Sequence, residues 1–367
     1  MKTRRDILAL IGAAGLTPVA AFAAPMLGDP ALADPERAPA FVAARQNADG
    51  RHAAVVLNAA GEDLFTEELA GRGHDAAIAP DGRLAVMFAR RPGTFAVVLD
   101  LRAGRRAAAF SAPEGRHFYG HGFFTPDGRL LYATENDYDG ERGVIGIYDT
   151  ATWGRIGEVE TGGIGPHEAI LMADGRTVAI ANGGILTHPD YPRMKLNLAD
   201  MAPSLSYLDL VTGDILETAA LPAAYHQLSI RHLTAAGDGS IWFGGQYEGA
   251  ASDVVPLIGR HQPGRAIEII AAPDHYAGMN NYIGSVATSA DGALIAASSP
   301  RGGQVMVFDA ATRALVATRR APDVCGLAPA GRDFVASDGA GHVWDANGHR
   351  ATSPGAWDNH IAAIRSV

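Results

Sequence analysis

The sequence predicts an all-β fold: a seven-bladed β-propeller closed by an inner strand from the C-terminus. Two recurring patterns and one match between the ends of the chain predict it. The first pattern is a turn signal that follows an apolar run. It reads Pro80-Asp81-Gly82, Pro126-Asp127-Gly128, Ala173-Asp174-Gly175, Gly237-Asp238-Gly239 and Ala290-Asp291-Gly292, with a degenerate Ala330-Gly331. The second is an apolar pair ending in Asp or a substitute: Leu57-Asn58, Leu99-Asp100, Tyr148-Asp149, Leu208-Asp209, Ile258-Gly259, Phe308-Asp309 and Trp344-Asp345. The two patterns alternate along the chain. Units of roughly 40 to 50 residues, each with four short strands, are propeller blades.

Taken in order, residues 41–68 supply three strands, Phe41-Val42-Ala43, Ala53-Ala54-Val55-Val56-Leu57 and Leu64-Phe65, with no inner strand before them. The first full unit opens at His74-Asp75-Ala76-Ala77-Ile78 and turns at Asp81-Gly82. Asp-Gly suits a tight two-residue hairpin, because Gly adopts positive φ without steric cost. Runs such as Leu84-Ala85-Val86-Met87-Phe88 have the length and apolar character of buried strands. The Asp of the second pattern can bond to backbone two residues on and so favours the outer turn. The chain ends with His360-Ile361-Ala362-Ala363-Ile364, which copies the opening of the first full unit. Residues 359–366 are therefore expected to be the innermost strand of the blade begun at residue 41, which leaves no open sheet edge.

Ahead of this domain, residues 1–33 read as a secretory signal. They carry Arg4-Arg5, an apolar stretch broken by Pro18, and small-x-small sites at Ala21-Phe22-Ala23 and Ala31-Leu32-Ala33. The arginine pair points to the twin-arginine route, and so to a periplasmic protein exported already folded. Residues 34–40 are then a linker and 41–367 the propeller. No later stretch is long and apolar enough to span a bilayer, so no stable membrane span is expected after signal removal. Lysine occurs only at Lys2 and Lys195, and the formal net charge is −10. An acidic chain without basic runs is a poor nucleic-acid binder and could suit cationic ligands. The single cysteine, Cys325, excludes an intrachain disulfide.

Histidines gather at one structural position. His74 and His167 lie seven residues before the Asp of a turn, His121 and His232 six before. His360 matches His74. Five of seven inner strands are thus expected to begin with His, with Asp75 and Glu168 directly after two of them. Inner strands line the central channel, so these side chains converge at one mouth. Imidazole and carboxylate are good transition-metal ligands, and could equally hold an anionic or polar small molecule. The expected metal set is His74, His121, His167, Glu168, His232, His360 and His188. Neighbouring strand positions face opposite sides, so all five inner-strand histidines point inward only if the strands are offset or bulged. Otherwise they would bond between adjacent blades. No G-x-S-x-G, P-loop, H-E-x-x-H or C-x-x-C-H motif occurs.

The third blade carries a long insertion after Thr177-Val178-Ala179-Ile180-Ala181-Asn182. Strand direction puts residues 183–206 on the face where the inner strands start. This brings His188 and the ligand-loop candidates Asp190, Arg193, Lys195 and Asn197 toward the mouth. Glu135-Asn136-Asp137-Tyr138-Asp139 and Gln246-Tyr247-Glu248 belong to that face by the same logic. The stretches Asn182-Gly183-Gly184-Ile185, Thr187-His188-Pro189-Asp190, Lys195-Leu196-Asn197, Pro203-Ser204-Leu205, Gln227-Leu228-Ser229-Ile230-Arg231-His232-Leu233 and Tyr282-Ile283-Gly284-Ser285-Val286 resemble a bacterial family of periplasmic propellers of unassigned function. Genes of that family often neighbour imelysin-like and haem-peroxidase-like genes in iron-related loci. The resemblance implies a role in periplasmic iron handling; it identifies no ligand or reaction and brings no catalytic residues. The expected cofactor is a transition metal, iron or copper, and the expected partners are periplasmic iron-uptake proteins. The leading expectation is a metal-handling binding or accessory protein. The alternatives are an enzyme at the channel mouth, lactonase-like or an oxidoreductase, and a protein-docking scaffold.

Overall fold

The computed structural model describes residues 38–364, except 192–193, 271–272 and 346. Residues 1–33, expected to be a signal, lie outside the described residues, as do Arg193 and the last three residues. Within them the chain forms seven four-stranded antiparallel sheets, each strand pairing with the next in sequence. Blade one runs from Gly73 to Ser111, two from Arg116 to Glu160, three from Pro166 to Ala220, four from Leu228 to Ile269, five from Ser285 to Arg320 and six from Val324 to Thr352.

Blade seven joins both ends of the chain, as expected. Its inner strand is Gly355–Ala363, hydrogen-bonded to Phe41–Asn47, with His52–Leu57 and Asp63–Leu69 outside. The closing strand begins four residues earlier than expected. Trp357 packs on the neighbouring blade, and Ala356 and Gly355 extend the ladder to Gln46 and Asn47.

Why the middle strands are apolar throughout follows from blade stacking. In blade one, Ala85 and Met87 pack toward blade seven, whereas Val86 and Phe88 pack toward blade two. Period-two alternation sends successive residues to opposite faces, and here both faces are covered. The same holds around the ring, so a separate hydrophobic cluster fills each of the seven blade interfaces. Outer strands such as Leu315–Arg320 alternate partly buried and exposed positions, because one face meets solvent.

Two turn expectations need correction. The Asp-Gly turns are not two-residue hairpins. Ala79 N–H donates to Leu84 O, and Gly82 N–H donates to Ala79 O. Four residues thus lie inside the closing pair, and only the Gly has positive φ (Gly82 at 64°, Gly239 at 78°). That is a longer loop in which a Gly supplies the one left-handed residue. Ile258-Gly259 is not an outer turn either. It lies inside the strand Ile258–His261, and the turn falls at 262–265, closed by Arg265 N–H to Gln262 O. Glycine stands at 259 because a Cβ there would sit 2.2 Å from the Phe243 ring.

Candidate functional site: a histidine ring under a cationic mouth

The inner strands do bulge where the histidines lie. Register shifts fall between Gly73 and Ala76, Phe118 and Gly122, Pro166 and Glu168, and Ile230 and His232. In blade seven the shift spans Trp357 to Ile361 and so contains His360. A bulge re-aims side chains without ending the sheet. This is how five histidines meet in one channel. Only His74 and His167 lie next to a strand start. His121, His232 and His360 sit well inside strands that begin at Arg116, Leu228 and Gly355.

The five blades concerned are consecutive around the propeller: seven, one, two, three and four. Neighbouring ring centroids are 4.7 Å (His360–His74), 4.9 Å (His74–His121), 5.2 Å (His121–His167) and 4.7 Å (His167–His232) apart. His232 and His360, at 4.7 Å, close the cluster across the channel side of blades five and six. Those two blades contribute small groups there. Ser298 donates to the Cys325 carbonyl, and burial pushes the Cys325 thiol up, unlike a metal-binding thiolate. His74, His121, His232 and His360 are 3%, 2%, 1% and 7% exposed, and His167 is half-buried.

Gly120 makes room for the ring. Its φ is 105°, and a Cβ there would fall 2.5 Å from His74 Cδ2 and 2.8 Å from His74 Cβ. Gly120→Ala should displace His74 and cost about 1–3 kcal/mol through backbone strain. Chemical denaturation checks the cost. An unchanged midpoint would refute this role for Gly120.

Carboxylates hold the imidazoles from outside. His121 Nδ1–H donates to Asp75 at 3.0 Å, His232 Nδ1–H to Glu168 at 3.3 Å, and His74 Nδ1–H to Asp358 at 3.4 Å. Asp358 also pairs with Arg72 and, at 3.3 Å, with Arg90. An Nδ1–H donated outward leaves Nε2 with its lone pair facing the ring. His121 Nε2, His360 Nε2 and His167 Nδ1 are buried without a protein partner. Burial and the neighbouring imidazoles hold His74, His167 and His232 well below their ordinary pKa. Burial does the same for His360, where attraction to Asp75 only partly opposes it. His121 is the exception: burial lowers it, but Glu168 and Asp75 outweigh that and raise it. Burial lifts the Glu168 carboxyl to about 7. Ligand atoms of His74, His121 and His167 lie within 4.8 Å of one another, as do those of His121, His232 and His360.

The insertion lies on the same face, as strand direction required. Lys195 lines a cavity of about 300 Å³ at the mouth, together with His74 and His167. Asn197 staples the insertion by accepting from Leu186 N–H at 2.7 Å and donating to Gly184 O at 2.9 Å. His188 is not part of the ring. It sits beside Tyr138, 3.8 Å from Asp139 and 3.7 Å from the exposed Asp190. Nor is Glu135 at the rim. It is fully buried within its blade, accepting from Arg155 at 2.9 Å and Tyr148 at 2.6 Å.

The overall acidity suggested cationic ligands, yet the mouth is basic. Arg90, Arg91, Arg231 and Arg301 line the cavity with Lys195. Sequence reasoning missed Arg90, Arg91 and Arg301. The signal was available, because they follow second strands, the same loop position as the insertion.

Fold and site together define a seven-bladed propeller with a histidine ring in its central channel. The chain belongs to the family described as protein of unknown function (DUF1513), whose model matches residues 67–364. Among solved structures it resembles the Kuenenia stuttgartiensis hydrazine synthase, at 14% identity and a TM-score of 0.60, covering 78% of this chain and 86% of that one. At that identity the likeness shows the fold alone. Comparison with curated proteins gave no match. Among the described residues no helix is long and apolar enough to cross a membrane.

Proposed function

We propose that this protein binds a transition-metal ion at the histidine ring and acts as a periplasmic metal-handling or accessory protein, with iron as the first candidate. One observation carries the reading: five imidazoles from five consecutive blades share one buried space, and carboxylates fix three of them with Nε2 inward. Outer carboxylates that orient a ligating imidazole are a recurrent feature of metal sites. Four of the five imidazoles are held neutral, the form that ligates. A metal–nitrogen bond of about 2.1 Å keeps two ligand atoms within about 4.2 Å, so the rings need to move only slightly. Glu168 can join as a carboxylate ligand. Iron follows from the family resemblance, and periplasmic iron-uptake proteins are the partners it suggests. Imidazole alone suits copper and zinc as well. The export reading of residues 1–33 supports the periplasmic location.

The enzyme alternative has one observation in its favour. A carboxyl near 7 beside an imidazole is the pairing used for proton transfer. It predicts turnover of a lactone or redox substrate that Glu168→Gln abolishes while metal content stays intact.

The test is metal content and thermal stability of natively exported protein, with iron, copper and zinc each added to metal-free samples. Binding only the folded state raises Tm as ligand concentration exceeds Kd. At a hundredfold excess over Kd the gain is about 2.7 kcal/mol. His121→Ala should lose both the metal and the Tm gain, while His349→Ala, on an outer strand of blade six, should keep both. Retention of none of the three metals, with no Tm gain from any, would overturn the proposal.

A further inference from the structure

The cavity above the ring has a basic wall. Five cationic side chains line it, from Arg90, Arg91, Lys195, Arg231 and Arg301. Two carboxylates answer them. Glu248 pairs with Lys195 and, at 3.4 Å, with Arg231. Asp358 pairs with Arg90 at 3.3 Å, and is shared with Arg72 and His74. Among the described residues Arg91 and Arg301 have no carboxylate partner. Arg91 reaches Thr187 Oγ1 at 3.5 Å, and the Arg301 guanidinium stacks over the Tyr282 ring at 4.9 Å. Arg231 Nε is buried without an acceptor.

These cations come from blades one, four and five and from the blade-three insertion, and His74 and His167 line the same cavity. The assembly is therefore not one solvated basic strand. Keeping several cations around one concave space is costly unless an anion enters it. About 300 Å³ is the lower end of the range for small-molecule pockets, too small for a polymer. Guanidinium forks match carboxylate and phosphate oxygens alike. Five cations against two carboxylates, one of them shared with Arg72, leave an excess of at least about three positive charges spread over the cavity wall. That excess favours an anion with three separated charges over one compact divalent group.

We propose that this cavity binds a small organic polyanion of the tricarboxylate class, held by Arg91, Arg231 and Arg301, with one end facing His74 and His167. This site goes beyond the metal reading and stands without it, because the cationic wall is complete whether or not an ion lies below.

Calorimetric titration of metal-free protein, stripped on a chelating resin rather than with a soluble chelator, tests it. Citrate and inorganic phosphate are compared at neutral pH and matched ionic strength. Citrate should saturate with a Kd at least about tenfold below that of phosphate. Arg301→Gln and Arg91→Gln should each weaken citrate binding at least about tenfold. Arg301 is exposed, so its replacement leaves the core untouched. Arg332→Gln, at a position 90% exposed beside the Asp291 turn, should change nothing. Tighter binding of phosphate than citrate would overturn the tricarboxylate assignment. Absence of saturable binding of either anion, or equal loss in Arg332→Gln, would overturn the site. A metal titration of the same samples reports separately on the ring, so failure of one proposal is distinguishable from failure of the other.

Discussion

A chain ending at Asp358 is expected to lose on the order of 5 kcal/mol or more and to melt at least about 10 °C lower, or to fail to fold. The deleted residues include the half of the closing strand that pairs with the start of the domain: Ile361 opposite Ala43, Ala362 opposite Val42, and Ala363 opposite Phe41. Ile364 N–H, donated to Ala40 O at 2.8 Å, goes as well. Ile361 is 3% exposed within the cluster joining blades six and seven, so its loss alone costs about 2–5 kcal/mol. Residues 41–43 would then present an open inner edge to the channel, while Arg45, Gln46 and Asn47 keep their partners. His360→Ala in the full-length chain separates the two effects, because it removes the imidazole and keeps the ladder. Its loss should be much the smaller. Equal melting temperatures for the truncated and full-length proteins would refute closure as a source of stability.

The fold was legible because each blade repeats two turns whose residues have few substitutes. Asp in the outer turn accepts from backbone two and three residues on, as Asp100 does from Arg102 N–H at 3.1 Å and Ala103 N–H at 2.9 Å. Gly in the inner turn supplies positive φ. Where a blade used another device, as at Gln262–Arg265, the pattern misled. The ring was legible as a shared offset from the Asp-Gly turns. Its geometry was not, because a bulge changes register without changing residue type. Nothing in His74-Asp75 or His167-Glu168 announces that the imidazole turns to the centre while the carboxylate reaches the next blade. The carboxylate from Asp358 and the arginine wall come from blades far apart in sequence. The loop position of Arg90, Arg91 and Arg301 was legible, but the convergence of these groups with Asp358 and Arg231 depends on how the blades are arranged around the channel. His188 went the other way. Its loop reaches the correct face, yet its side chain stops at the rim, and only coordinates distinguish a few ångströms.

Acid should destabilise the metal-free protein steeply between pH 6.5 and 5. His74, His167, His232 and His360 are neutral in the folded state, because burial and mutual repulsion hold their pKa well below 6.5. In the unfolded chain they protonate as pH falls through about 6.5. Between 6.5 and the folded values the unfolded state binds more protons, so stability is lost as pH falls. Glu168 opposes this. Its folded carboxyl titrates near 7, so below that pH the folded state already holds a proton that the unfolded state takes up only near 4.5. His121, raised above 6.5, is protonated in both states in this window; its contribution is lost only as pH rises above 6.5. Asp75, lowered below 3.8, titrates beneath the window. His117, held down to about 4 by burial, adds a fifth proton taken up on unfolding. Five protons against one leave a net uptake of four, or roughly 5 kcal/mol per pH unit at about 1.4 kcal/mol per proton. Over the window from pH 6.5 to 5 the loss is roughly 8 kcal/mol, comparable with the about 5–15 kcal/mol by which domains are stable. Denaturant titrations of metal-free protein at half-unit steps from pH 7 to 5 measure the slope. His232→Gln should reduce it by about 1.4 kcal/mol per pH unit, because one neutral buried imidazole no longer contributes. A bound ion adds to the same sign, since each ligating imidazole must be free of its proton. A stability that stays level from pH 7 to 5 would mean that the imidazoles protonate within the fold, and that the ring is open to water rather than closed around a dry, ligand-ready space.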